Sequence, residues 1–563
     1  MRWGKKKNLA QKVIEPDEIF LDSANSPGFE RELFEGRIEA PLSRKIPYAI
    51  FIIFLLMAAA AFAQLANLQI INHDSYLARA ENNTLSRIRI PAERGLIYDR
   101  YMKEVVWNSS DGRAYWKKSG LAHVLGYIGY PETLFEGMDP KAKIGRAGIE
   151  AAYDGILRGQ DGARLIEESA SGEVLSQSVE LEPKNGQSVI LTIDADMQTE
   201  LFSILQRVVL ERGFRAASAV VLDVVTGEIL SATSFPEFKS EVLSQNTSSD
   251  IISSYLKSDS QPFFFRAFEG LYAPGSVFKP IVALGALAEK IIDPARQILS
   301  TGSISIPNPY YPGESSIFYD WKAHGWVDLR RALAVSSNVY FYTVGGGFGD
   351  QEGLGVRRII DYAGRLGLGK SAGVELPEST GFLPTPEWKE KNDPSDPAWR
   401  IGDTYNLSIG QGFIQVTPLQ MAEVASAMAG AGRIADTHLV KAVLSESGEV
   451  QEADLEPERK INIPEEAFNA VRDGMRQAAL YGTASALSGL GVDLAGKTGT
   501  AELGQEKNKV NSWFIGFMPY EKPKIALAIV LEAGNSHNTV GGVFVAREFI
   551  LWLIGRHTEF LGL

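Results

Sequence analysis

A hydroxyl and an amine stand three residues apart in the stretch YAPGSVFKP, residues 272–280, as Ser276 and Lys279. The Pro-Gly pair before them and the apolar IVALGALAEK after them read as a turn opening into a helix. Residues i and i+3 share a helix face. A serine hydroxyl is neutral near pH 7 and becomes a nucleophile only beside a base. A lysine amine is that base only when burial or a neighbouring cation strips its proton. Backbone N–H groups at a helix N-terminus stabilise negative charge on an attacked carbonyl oxygen. The spacing alone is weak, since SxxK arises by chance about twice in a chain of this length. Ser254 and Lys257, in SSYLKS, form a second instance in a polar stretch, with neither Pro-Gly before it nor an apolar helix after it.

Two later stretches strengthen the first. LAGKTGTAE, residues 494–502, places Lys497, Thr498, Gly499 and Thr500 at the start of a predicted strand. There they offer a cation, hydroxyls and a glycine that admits a close backbone. AVSSNVYFY gives Ser336-x-Asn338 after the helical VDLRRALA. SxN means little alone, because Ser23/Asn25, Ser244/Asn246 and Ser536/Asn538 match too. The ordered trio is informative: SxxK opening a helix, SxN after another helix, KTG before a strand. Coincidence in all three settings falls below about 5%.

The elements that must position these residues follow from the rest of the chain. Its 563 residues exceed one core and predict two or three domains. A net charge of −13 argues against a nucleic-acid partner. Zero cysteines exclude disulfides, thiolate chemistry and Cys-ligated zinc; six histidines and no metal motif leave a metal unsupported. IPYAIFIIFLLMAAAAFA, Ile46–Ala63, carries no charge and is long enough for one bilayer crossing. Arg44 and Lys45 before it predict an N-terminus kept in the cytoplasm. The rival reading is a cleaved signal peptide, with AFA before Gln64 as cleavage site, but the 45 residues ahead of the run are far more than a short leader. Residues 1–45 read as a largely disordered tail. Extended segments and short helices follow to Asp194, where a domain boundary is placed. GARLIEESASGEVLSQSV predicts a hairpin turning at Ser171-Gly172, and ASAVVLDVVTGEILSATSFP another at Thr226-Gly227. SQNTSSDIISSYLKSDSQP reads as a loop, apolar helices run from about 276 to 430, and VNSWFIGFMPY and KIALAIVLEAG are late strands. The expected fold is α+β, an antiparallel sheet covered by helices.

The trio resembles the serine acyl-transferases that react with penicillin, namely penicillin-binding proteins and active-site-serine β-lactamases. RGLIYDR (94–100), HVLGYIG (123–129), GRAGIEAAYDGILRG (145–159) and LTIDADMQ (191–198) resemble the non-catalytic pedestal of class B penicillin-binding proteins. DWKAHGWVDLRRALAVSSNVYFY (320–342) and GDTYNLSIGQGFIQVTPLQMA (402–422) resemble the elongation-type penicillin-binding protein 2 more than the division type. The resemblance implies a tail at 1–45, a transmembrane anchor at 46–66, a shortened pedestal at 67–194 and a transpeptidase domain at 195–563. It implies peptidoglycan D,D-transpeptidation with Ser276 as nucleophile, Lys279 as base, and Ser336 and Lys497 relaying the proton. Asn338 would hold the substrate amide. Thr498, Gly499 and Thr500 would bind its carboxylate and backbone, and the N–H groups of Ser276 and Thr500 would form an oxyanion hole. No cofactor is implied. Partners would be stem peptides, β-lactams as covalent inhibitors and a membrane glycan polymerase of the SEDS class, with the enzyme in the cytoplasmic membrane and its catalytic domain outside. Two features depart from the family: the short span from Arg100 to His123, where a head subdomain is usual, and Phe265 before Arg266, where Asn is frequent. Alternatives with the same motifs are a D,D-carboxypeptidase or β-lactamase-type hydrolase, and a catalytically silent β-lactam sensor or scaffold.

Overall fold

The structure is a computed structural model, which describes residues 45–77, 85–131, 142–168, 174–245, 249–307, 311, 313–504, 506–538 and 540–562. The tail to residue 44 and the turn at Ser171-Gly172 lie outside the described residues; the strands flanking that turn, Gly162–Glu168 and Val174–Leu181, are neighbours in one sheet. The apolar run forms helix α1, Lys45–Ala66, and helical backbone continues to Ile71. These 27 residues have a mean hydropathy of 2.5 over their apolar window and extend about 40 Å, enough to cross a membrane. The chain divides into two compact units, Met1–Ser86 with Ile166–Ser176, and Arg87–Leu165 with Gln177–Leu563.

The larger unit contains two principal sheets. One has six strands in the order Val450–Glu452, Val440–Leu444, Ser188–Leu191, Ile97–Tyr98, Glu104–Ser109, Gly112–Tyr115. The short span after Arg100 is thus a hairpin on the edge of this sheet. Four of its strands precede Asp194, and two come from far downstream. GRAGIEAAYDGILRG folds as two short helices, Gly148–Ala152 and Asp154–Leu157, and turns out at Gly159. Glu150 in the first of these is fully buried, with one oxygen 2.6 Å from Arg94 and the other 2.7 Å from Arg113. Two guanidiniums on one carboxylate offset its desolvation, which explains why Arg94 and Glu150 belong together.

The second sheet is antiparallel and carries the candidate site. Its strands are β1 (Ala216–Asp223), β2 (Ile229–Phe235), β3 (Ala495–Leu503), β4 (Lys509–Met518) and β5 (Ile525–Asn535), in the order β2-β1-β5-β4-β3. β1 and β2 form the expected hairpin, with Gly227 at φ +78° in its turn. Side chains alternate faces along each strand. Ala217, Val221, Leu527 and Ile529 pack into one core with helix α2 (Ala195–Arg212), while Val220, Ala526, Ala528 and Val530 pack into the other. Both faces are therefore covered, which accounts for the unbroken apolar run of β5. Asp194 caps α2 by accepting from the N–H groups of Asp196 and Met197.

On the far face lie helices α3 (Lys279–Ala288), α4 (Leu329–Val335), α5 (Asn338–Gly346), α6 (Pro418–Ala429) and α7 (Glu465–Leu480); α8 (Gly542–Arg556) shares the core of α2. α6 is buried along its whole length and packs on β1, β4 and β5. Two expectations need correction. The helical stretch from 276 to 430 is interrupted by four short strands between Ile298 and Val327, which pair as two small sheets. The polar stretch read as a loop contains a helix, Ser249–Lys257, because Ile251, Ile252 and Tyr255 recur at helical spacing and Tyr255 meets Phe263 edge-on. Phe265 stacks on His123 with ring centroids 5.1 Å apart and meets Phe268 at a tilt, with centroids 4.5 Å apart. Burial holds the His123 imidazole down at about 4, so it is a neutral plate for that stack.

Candidate active site

Ser276 sits in a single tight turn, Gly275–Phe278, that runs directly into α3. Pro280 falls in the first turn of α3, where its missing N–H costs little. Three contacts hold the turn. The Gly275 N–H donates to Gly410 O at 2.8 Å, and the Trp513 indole donates to Ala273 O at 3.1 Å. Gly275 takes φ +58°, and a β-carbon there would meet Thr500 O at 2.7 Å. The serine turn is thereby pressed against β3, an edge strand whose outer hydrogen-bonding side is not paired in the sheet.

SxN is the junction of two helices. Asp328 caps α4 by accepting from the Arg331 N–H at 2.8 Å. α4 ends at Ser336 in the left-handed conformation, φ +58°, which is uncommon outside glycine and concentrates at functional sites. Ser337 then caps α5, accepting from the Tyr340 N–H. Along β3, Lys497, Gly499 and Ala501 are buried, while Thr498, Thr500 and Glu502 alternate toward solvent.

The predicted residues converge. Lys279 Nζ donates to Asn338 Oδ1 at 2.7 Å and to Ser336 O at 2.8 Å, and lies 3.2 Å from Ser336 Oγ. Lys497 Nζ lies 2.9 Å from the same hydroxyl and donates to Thr498 O. One serine hydroxyl thus bridges two fully buried amines. Burial pulls the Lys279 ammonium down to about 7 against the opposing Asp320 carboxylate. It pulls Lys497 well below the usual lysine range, with the charge on Lys279 as the second cause. Two amines sharing a hydroxyl in a dry site cannot both stay charged cheaply, so one is available to accept a proton. Ser276 is half-buried, and its hydroxyl makes no hydrogen bond among the described residues. Asn338 spends its amide on Tyr319 O at 3.3 Å. Ser254 is elsewhere in character: exposed on its helix, it donates to Ile251 O.

Three contributors have no signature in the motifs. Thr483, just after α7, shares a 2.7 Å hydrogen bond with Thr498 and donates its N–H to Ala334 O, so it ties α4 to β3. Gly410 backs the serine turn; a β-carbon there would stand 2.1 Å from Gly275 O. Asp320 lies beneath SxN. Each was unreachable because its partner is far away in sequence.

An α+β unit with this serine turn, helix junction and edge strand is a transpeptidase fold. Residues 217–547 match the penicillin binding protein transpeptidase domain and residues 101–191 the penicillin-binding protein dimerisation domain. The chain belongs to the penicillin-binding protein transpeptidase family, as a class B member of the elongation-associated PBP2 type. It is 28% identical to the peptidoglycan D,D-transpeptidase MrdA of Haemophilus influenzae, over 90% of this chain and 91% of that one. The crystal structure of Pseudomonas aeruginosa PBP2 in complex with WCK 5153 superposes with a TM-score of 0.68 at 27% identity, over 84% of this chain and 99% of that one. A chain from a peptidoglycan synthase complex that coordinates polymerization and crosslinking gives 0.70 at 25% identity, over 92% and 99%.

Proposed function

We propose that the chain is a peptidoglycan D,D-transpeptidase that cross-links stem peptides through an ester on Ser276. The observation that carries this reading is the buried Lys279–Ser336–Lys497 cluster beside the serine turn and the edge of β3. The donor stem peptide adds along β3 as an extra strand, with Thr498 and Thr500 toward its terminal carboxylate. Ser276 Oγ attacks the carbonyl between the two terminal D-alanines, and its proton passes to the neutral Lys279 amine. The N–H groups of Ser276 and Thr500 receive the oxyanion. The C–N bond breaks and the last D-alanine leaves, its nitrogen taking a proton through Ser336 and Lys497. An amine of a neighbouring strand then attacks the ester, loses its proton to the same base, and frees Ser276. Asn338 first holds Lys279 in place and then exchanges toward the substrate amide. Residues 46–66 anchor the chain in the cytoplasmic membrane with its N-terminus inside. Residues 67–194 form a shortened pedestal and 195–563 the catalytic domain. A membrane glycan polymerase of the SEDS class is the partner, a reading supported by the likeness to the peptidoglycan synthase complex.

Labelled penicillin tests the nucleophile. It should attach covalently to the wild-type chain and not to Ser276→Ala; labelling that persists, or moves to Ser254, defeats the assignment. Incubation with a stem-peptide donor, with and without an acceptor amine, tests the reaction. Cross-linked product supports transfer, whereas free acid alone assigns the chain to the hydrolases.

A further inference from the structure

We propose that Asp320 is a positioning residue for this reaction: from beneath the SxN junction it fixes the bend that carries Ser336 and tunes the electrostatic field at Lys279. The inference rests on the reading above. The Asp320 side chain is fully enclosed. Its Oδ2 accepts from Ser337 Oγ at 2.8 Å, the Val339 N–H at 3.0 Å and Ser300 Oγ at 3.1 Å. Its own N–H donates to Gly302 O, and Oδ1 accepts from the Trp321 N–H. One carboxylate therefore ties the hairpin region around residues 300–321 to Ser337 and Val339, just after Ser336.

Two physical consequences follow. First, the left-handed Ser336 is strained, and such a conformation persists only where its surroundings over-determine it. Ser337 is held on one side by its cap to Tyr340 and on the other by Asp320; Val339 is held through its N–H. A carboxylate at the N-terminus of α5 also complements the helix dipole. Second, the enclosed negative charge opposes the desolvation of Lys279. Asp320 keeps the amine within reach of its charged form, while burial beside Lys497 drives it toward the neutral one.

The other titratable groups around the pair are few. His324 Nε2 is 3.6 Å from Asp320 Oδ1, and burial pulls its imidazole below the usual histidine range against that carboxylate. Lys322 lies over the exposed ring of Trp321, 4.7 Å from its centroid. On the other side Lys279 faces Lys497 through Ser336 and lies 5.5 Å from the Phe341 ring centroid.

The test is the rate of penicillin acylation against pH for the full chain and Asp320→Asn, with thermal melting recorded in parallel. Labelling lost in Ser276→Ala secures the underlying reading independently. The amide has one accepting oxygen where the carboxylate has two, so it cannot serve these three donors and the Trp321 N–H together; the junction loosens and the plateau rate should fall about 100-fold. Removing the charge should also move the acidic limb of the profile to lower pH, since the carboxylate that favours the ammonium on Lys279 is then gone. An unchanged rate overturns the proposal, and so does a loss with the limb unmoved, which a merely structural aspartate would give. Should Asp320→Asn fail to fold, Ser337→Ala keeps the carboxylate and removes one of its ties. That variant should lose about tenfold in rate with the limb in place, in the range of a displaced reacting group. Acylation by it at the wild-type rate overturns the proposal.

Discussion

In the proposed reaction Lys279 decides whether the site works, because the same atom must be buried, hydrogen-bonded and able to lose its proton. Its amine sits at about 7, so the neutral fraction grows as pH rises through that value. The rate of penicillin acylation should therefore climb from about pH 6 to 8 and then level, with the midpoint near 7. Lys279→Arg should acylate on the order of a thousandfold more slowly at every pH, because guanidinium holds its proton throughout the range. Normal acylation by that variant would remove Lys279 from the base role. At this scale the sequence was most legible. Ser276 and Lys279 are local neighbours, and Lys497, Thr498 and Thr500 are consecutive or alternate on one strand, so short-range pattern captures them. Asp320 and Thr483 act on residues 17 and 15 positions away, Ser337 and Thr498, and nothing in their own surroundings announces it.

The elements show how a turn is aimed. Gly410 has φ +73°, and its backbone lies against Gly275 so closely that a methyl group would overlap a carbonyl oxygen. Gly410→Ala should push the serine turn off β3 and lower acylation by about 100-fold, the penalty of roughly an ångström of misplacement. Stopped-flow acylation with a reporter β-lactam measures this, and a loss under threefold would mean that the turn relaxes without harm. β5 was readable as a short unbroken apolar run, and the β1–β2 hairpin from its alternating residues and the turn at Gly227. The helix Ser249–Lys257 was not, since its serines and aspartate favour turns and its apolar face is narrow. The left-handed bend at Ser336 was equally hidden, as only packing enforces it there.

At the scale of the whole molecule, the larger unit rests on buried charge as well as on apolar layers. Glu150 joins Arg94 and Arg113, while Arg100 reaches across to Glu228 at 3.0 Å. Breaking a buried pair leaves uncompensated charge, so Glu150→Gln should cost about 3–5 kcal/mol. Denaturant unfolding of the full chain checks it, and a cost below 1 kcal/mol would show that the arginines find water instead. Here the sequence yielded the order of segments, the apolar helix and the class of fold. It did not yield the mixed parentage of the six-stranded sheet, because a pairing between Val440–Leu444 and Ser188–Leu191 spans some 250 residues.

That shared sheet sets a rule for building chimeras. A graft of residues 217–547 into a relative carries a strand, Val440–Leu444, that must find a foreign bedfellow, and the donor's remaining half is left with Ser188–Leu191 as a raw border open to strangers. Recombinants that exchange both pieces together keep the seam intact; those that cut between them trade a folded joint for a sticky one.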